Sequence, residues 1–146
     1  KKIKIGKKVS NSEFMIIARI ESLILNKTVS DAYKRAKAYI SAGADGIMIH
    51  SKQKTPEEIF KFSKIFKKNF PSIPLVAVPS SYNKVTEKQL IDNGFNVVIY
   101  ANHLLRASYP AMKKTIISIL KNKRSYEIDN ELMSIKNILE LIPGTK

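Results

Sequence analysis

Residues 42–52 read AGADGIMIHSK, and the fold follows from them. Gly43 ends a preceding helical pattern, and Asp45 to Ile49 then forms a short, nearly continuous apolar run. Such a run between helical patterns reads as a strand buried on both faces of a parallel sheet. It stops at three polar residues, His50, Ser51 and Lys52. In β/α proteins the carboxyl ends of the strands open into a crevice lined by loops and helix N-termini, where ligands bind.

Working outward, the same unit recurs. Toward the N-terminus, FMIIARI predicts a strand over 14–20 in which Arg19 interrupts an apolar run, followed by Glu21 and Ser22. Residues 1–12 are basic and read as the end of a helix and a linker. Between the two strands, Thr28 or Ser30 caps a helix whose apolar positions Ala32, Ala36, Tyr39 and Ile40 recur at helical spacing. Asp45 lies at the opening end of its strand, away from His50, and reads as structural. Beyond the central strand, Thr55-Pro56-Glu57-Glu58 opens a helix, with Thr55 as cap, Pro56 at the first helical position and Ile59, Phe62, Phe66 and Phe70 as core stripe. A third strand over 74–79 ends in Ser80, Ser81 and Tyr82, a ligand contact or a simple turn. A fourth over 96–101 ends in Asn102 and His103, and a long helix follows from about residue 106 to 123. A last amphipathic helix over 131–142 stops at Pro143-Gly144 and has no strand after it to pack against.

This βαβαβαβα order implies right-handed crossovers and a parallel sheet with helices outside. The 146 residues suffice for a real core, and 44% hydrophobic with 26% charged residues is the composition of a globular chain. Two architectures fit: an open doubly wound sheet, or four of the eight units of a (β/α)₈ barrel, whose full length is about 250 residues. No GxGxxG or GxxxxGK[ST] loop occurs, which removes Rossmann and P-loop nucleotide binding. Without cysteine there are neither disulfides nor thiolate metal sites, and a cytoplasmic location is the default expectation. No apolar run reaches the roughly 18–20 residues of a membrane span, so no membrane role is expected. The net charge of +14 raises nucleic acid as a partner, but Arg19, Arg35, Arg106 and Arg124 are the only arginines and the lysines scatter over every helix. No nucleic-acid partner is expected.

The chemistry belongs to the rim. Arg19, His50, Ser80 and Asn102-His103 all close strands, so either architecture gathers them at one edge. An Arg inside an apolar strand is costly to bury unless it is paired or faces a cavity. Arg19 either pairs internally with Glu21, two residues on and on the same strand face, or binds an anion with His50. Together a guanidinium fork and an imidazole donor suit a phosphoryl group. Glu21 is the only carboxylate at that rim, so this chain offers no metal-ligand set.

In order and spacing, ARIE at 18–21, IHSK at 49–52 and ANHLLRA at 101–107 resemble phosphoenolpyruvate mutase, of the isocitrate lyase/phosphoenolpyruvate mutase superfamily. The resemblance covers essentially the whole chain and implies the C-terminal half of a (β/α)₈ TIM-type barrel, four βα units plus an extra C-terminal helix, as one partial domain over 1–146. It implies a Mg²⁺-dependent interconversion of phosphoenolpyruvate and phosphonopyruvate, small anionic substrates. Arg19 and His50 would be catalytic and hold the phosphoryl group, with Ser80 and Asn102 as further substrate contacts. The family's nucleophilic aspartate, metal-binding acids and gating loop belong to the N-terminal half and are absent from these residues, as a Lys rather than Met at position 1 also suits a fragment. The chain alone is therefore expected to be inactive. Phosphonopyruvate hydrolase is the alternative, with carbon–carbon lyases of the superfamily behind it. From another class comes a non-enzymatic half-barrel assembly module, since open strand edges invite pairing. Self-association into a homo-oligomer is expected on the same ground.

Overall fold

The computed structural model describes residues 1–142 and 144. Its elements run α1 (Lys2–Val9), β1 (Ile17–Ile20), α2 (Val29–Ser41), β2 (Gly46–Ile49), α3 (Glu57–Asn69), β3 (Leu75–Ala77), α4 (Glu87–Asp92), β4 (Val97–Val98), α5 (His103–Asn122), a 3₁₀ helix (Tyr126–Glu131) and α6 (Ile135–Glu140). They form two compact units, Lys1–Ala101 and Asn102–Lys146.

In the first unit the four strands form one parallel sheet in the order β1-β2-β3-β4. Register decides which side chains share a face. Ala18, Ile47 and Leu75 lie in one row and Ile20 with Ile49 in another, all facing the helices. These residues are buried together with Ala32 and Ala36 of α2, Ile59, Phe62 and Phe66 of α3, and Leu90 of α4. The small alanines let α2 lie close to the sheet, and Phe62 stacks on Phe66 with centroids 5.6 Å apart. The opposite face carries Arg19, Met48, Val76 and Val97 across the four strands. That face is less covered: Arg19 is exposed, Met48 half-buried and Val97 46% exposed. One side of the sheet is therefore sealed and the other partly open, with Val76 buried and Arg19 and Val97 exposed.

Every expected strand exists, but each is shorter than the apolar run that announced it, for identifiable reasons. β1 begins at Ile17, not at 14, because the Ile16 N–H donates to Asp45 Oδ2 at 2.7 Å while Phe14 and Met15 stay exposed. Asp45 also accepts from Lys7 Nζ at 3.0 Å, so the carboxylate ties α1 to the opening edge of β1. Residues 1–12 are thus mostly helix α1, not a helix end and linker. β2 ends at Ile49, with His50 just beyond it. β3 ends at Ala77, not 79, because Pro79 has no N–H and Ser80 N turns back to the Val78 carbonyl at 2.8 Å. The run over 96–101 contributes only Val97–Val98 to the ladder, with two further backbone bonds, from Asn96 N to the Leu75 carbonyl and from Ile99 N to the Ala77 carbonyl.

Helix starts follow side-chain chemistry. The Thr28 and Thr86 hydroxyls accept from Asp31 N and Gln89 N, and Gln89 returns the bond to complete a capping box. Pro56 occupies the cap of α3 rather than its first turn, and Thr55 does not cap it.

The second unit consists of α5, the 3₁₀ helix and α6. Asn102 caps α5, which starts at His103 rather than 106 and contains Pro110. Lys114 pairs with Glu131, joining α5 to the 3₁₀ helix, whose Ile128 is buried. The helix expected over 131–142 is α6 alone, because Ser134 accepts from Asn137 N and sets the start there. Pro143, read as its stop, lies outside the described residues. Among the described residues no helix is long and apolar enough to cross a membrane.

Candidate active-site rim

Parallel pairing puts the carboxyl ends of β1 and β2 side by side, with Arg19 opposite Met48 and His50 one residue past Ile49. This brings the two residues into contact: Arg19 Nη2 lies 2.7 Å from His50 Nδ1. A guanidinium only donates, so Nδ1 must accept, and the imidazole is neutral with its proton on Nε2. Arg19 also pairs through Nε with Glu21. The internal pairing of Arg19 with Glu21 is therefore present, and the same guanidinium lies against His50, the neighbour with which an anion-binding role would be shared. Burial and the adjacent Arg19 cation lower the His50 pKa below its ordinary value, with Glu21 acting in the opposite direction. Three of the five guanidinium N–H groups remain beyond these two bonds, on a side chain 48% exposed.

Ser80 lies on the same rim, in the turn after β3, where its backbone N–H is held by Val78. Among the described residues no hydrogen bond joins its side chain to Arg19 or His50. Nearby Tyr82 is fully buried, and burial pushes its pKa up to about 12. Asn102 and His103 open the second unit, where Asn102 makes no side-chain cap bond to α5. Sequence reading missed Ser51 and Ser22, each buried just behind a site residue. Ser51 Oγ donates to Glu58 Oε2 at 2.7 Å, and Ser22 Oγ to Asp31 Oδ2 at 2.6 Å. A serine just past a strand, with an acid in the next helix's first turn, is the signal that marks both.

Among the described residues no group of three His, Cys, Asp or Glu side chains could hold a metal ion. Glu21, the acid beside Arg19 and His50, is already engaged by Arg19. These residues do not by themselves fit a Mg²⁺ site.

A parallel β/α sheet with helices alternating along the chain and a guanidinium–imidazole pair at its carboxyl edge defines the class: a barrel-type α/β protein. The chain belongs to the phosphoenolpyruvate phosphomutase family, whose model matches residues 1–120. It is 40% identical over 134 residues to phosphonopyruvate hydrolase of Variovorax sp. (strain Pal2), covering 90% of this chain and 45% of that protein. The crystal structure of phosphoenolpyruvate phosphomutase from Streptomyces platensis subsp. rosaceus superposes with a TM-score of 0.85 at 34% identity, over 95% of this chain and 48% of that one. Phosphonopyruvate hydrolase in complex with oxalate and Mg²⁺ superposes at 0.82 with 38% identity, over 96% and 49%. The chain spans about half the length of the curated relatives it matches and about half of the solved structures it superposes on.

Proposed function

We propose that this chain is the C-terminal half of a phosphoenolpyruvate mutase that interconverts phosphoenolpyruvate and phosphonopyruvate. The observation that carries the reading is the 2.7 Å contact between Arg19 and His50 at the carboxyl ends of β1 and β2. In one direction the C–P bond of phosphonopyruvate breaks and an O–P bond to the enol oxygen forms. The group in transit carries negative charge on three peripheral oxygens. Arg19 neutralises that charge with its remaining donors, and the neutral His50 presents Nε2–H to an oxygen. The open sheet face, which carries Arg19, faces the interior when eight β/α units close into a barrel. Mg²⁺, bound with oxalate in the hydrolase relative, would act as a Lewis acid held by residues outside this chain, and no step here depends on it.

A hydrolase is the second reading, favoured by the 40% identity to the Variovorax protein. There the phosphoryl group passes to water, releasing pyruvate and phosphate. ³¹P NMR separates the two when phosphonopyruvate and Mg²⁺ are given to this chain joined to the N-terminal half that its relatives carry. A phosphoenolpyruvate signal supports the mutase, inorganic phosphate the hydrolase, and an unchanged substrate rejects both. Arg19→Ala should suppress whichever product appears. The chain alone should give no turnover, and turnover by it would place a nucleophile among these 146 residues.

A further inference from the structure

Two buried serines bracket the Arg19–His50 contact, and neither touches it. Ser51 follows His50 directly and is fully buried. Its Oγ donates to Glu58 Oε2 at 2.7 Å and accepts from Gln53 N at 3.1 Å, so the hydroxyl is used in both directions. Ser22 follows Glu21 and is 2% exposed, with its Oγ donating to Asp31 Oδ2 at 2.6 Å. Asp31 and Glu58 both occupy first turns, of α2 and α3 respectively, where a helix's positive end favours a carboxylate. The same device thus occurs in both rim loops. A buried hydroxyl is costly to leave unpaired, so each serine is favoured where its helix presents the acid. Cα atoms of neighbouring residues are about 3.8 Å apart, which makes Ser51 a fixed point one peptide away from the imidazole.

We propose that Ser51–Glu58 and Ser22–Asp31 are positioning pairs that fix each rim loop from the helix following it and so hold the His50 imidazole against the Arg19 guanidinium. The inference deepens the phosphoryl-clamp reading and rests on Arg19 and His50 acting as one unit. Hydrogen-bond strength falls steeply with distance and angle, so a loop displacement of about an ångström is enough to part a 2.7 Å contact. The two pairs leave the reacting group untouched and act only through backbone placement.

The test reads the imidazole directly and needs no substrate. In the ¹⁵N-labelled chain, two-bond ¹H–¹⁵N correlation of the histidine ring distinguishes Nε2–H from Nδ1–H, and His50→Gln assigns the signals against those of His103. The unmodified chain should show His50 as one Nε2–H tautomer. Ser51→Ala and Ser22→Ala should each shift the tautomer ratio by about threefold or more toward a mixture, as for an imidazole no longer held by a donor at Nδ1. Glu58→Gln, which keeps a carbonyl acceptor for Ser51, should retain the original pattern. Thr86→Ala, which breaks the α4 capping box in the same unit, should leave it unchanged. If Ser51→Ala does not fold, Ser51→Cys and Glu58→Ala carry the same comparison. A single Nε2–H tautomer in the folded serine variants, or equal disturbance by Thr86→Ala, would overturn the proposal. Intact positioning with no turnover in the joined protein would instead reject the mutase and hydrolase readings and leave the positioning pairs standing.

Discussion

Replacing Glu21 by glutamine isolates the competition at the rim. Arg19 is shared between the Glu21 carboxylate and His50, and on the proposed function an incoming phosphoryl anion takes the same cation. The side chains of the Arg19–Glu21 pair are 48% and 41% exposed, so the pair itself is worth about 0.2–1 kcal/mol. A carboxylate about 4 Å from a bound anion adds about 1 kcal/mol of repulsion in water-like surroundings. Glutamine keeps an oxygen for Arg19 Nε and removes the charge, so orientation is retained while both penalties shrink. A net gain of about 1 kcal/mol corresponds to about fivefold tighter binding. Inorganic phosphate titrated against the His50 ring signals at low salt measures it. The gain should fade in about 1 M salt, where the Debye length is about 3 Å, and vanish when Arg19→Gln is combined with it. With Glu21 gone, His50 also loses the neighbour that raises its pKa, so the ring should stay neutral to lower pH than in the unmodified chain. Unchanged or weaker phosphate binding by Glu21→Gln at low salt would refute the reasoning, because Arg19 would then not be the group that grips the anion.

The same fold carries three further expected outcomes. The His50 pKa is lowered in the fold, so its contribution to stability is present above the unfolded value of about 6.5 and lost as pH falls through the folded value. Urea midpoints near pH 7.5 and pH 5 should therefore differ more for the unmodified chain than for His50→Gln. Asp45→Ala strips the acceptor from Ile16 N and the partner from Lys7, and leaving that backbone donor unpaired should cost about 1–3 kcal/mol in urea unfolding. The Ile16 N–H and Lys7 hold the Asp45 pKa below its ordinary value, so this contribution should also disappear as the pH drops into the acid range. Gly46→Ala would place a Cβ 2.6 Å from Ile17 Cδ1 and 3.1 Å from the Pro74 carbonyl oxygen. The isoleucine can swing away but the backbone cannot, and a loss of about 1–3 kcal/mol is expected from overpacking, read as a lower thermal midpoint.

Much of this arrangement was legible in one dimension, because strand order and the polar residue closing each strand are local features. An Arg at the end of an apolar run and a His just past the next run become neighbours in any parallel sheet that pairs those strands, which is how Arg19 and His50 were identified. Strand lengths were less legible. Apolar runs reach further than the ladder, since Ile16 spends its N–H on the Asp45 side chain and Pro79 has none to spend. Residues 1–12 read as only the end of a helix and a linker because lysines mask the periodicity of α1, whose anchor, Lys7 to Asp45, spans 38 residues. The serine–carboxylate pairs escaped notice for a related reason. Ser22 and Ser51 look like ordinary loop serines until the loop geometry shows which acid each one reaches.

On the proposed function, the contact between Arg19 and His50 also bears on the choice of inhibitor. With Nδ1 accepting from Arg19, the ring's outward edge offers a donor, and the guanidinium beside it offers only more donors. A mimic of the transferred group therefore needs acceptor atoms across its whole head, as phosphonate or sulfonate provides. A sulfonamide that turned its own N–H toward the ring would set donor against donor and leave one hydrogen without a partner, so acid head groups should outrank their amide counterparts throughout a compound series.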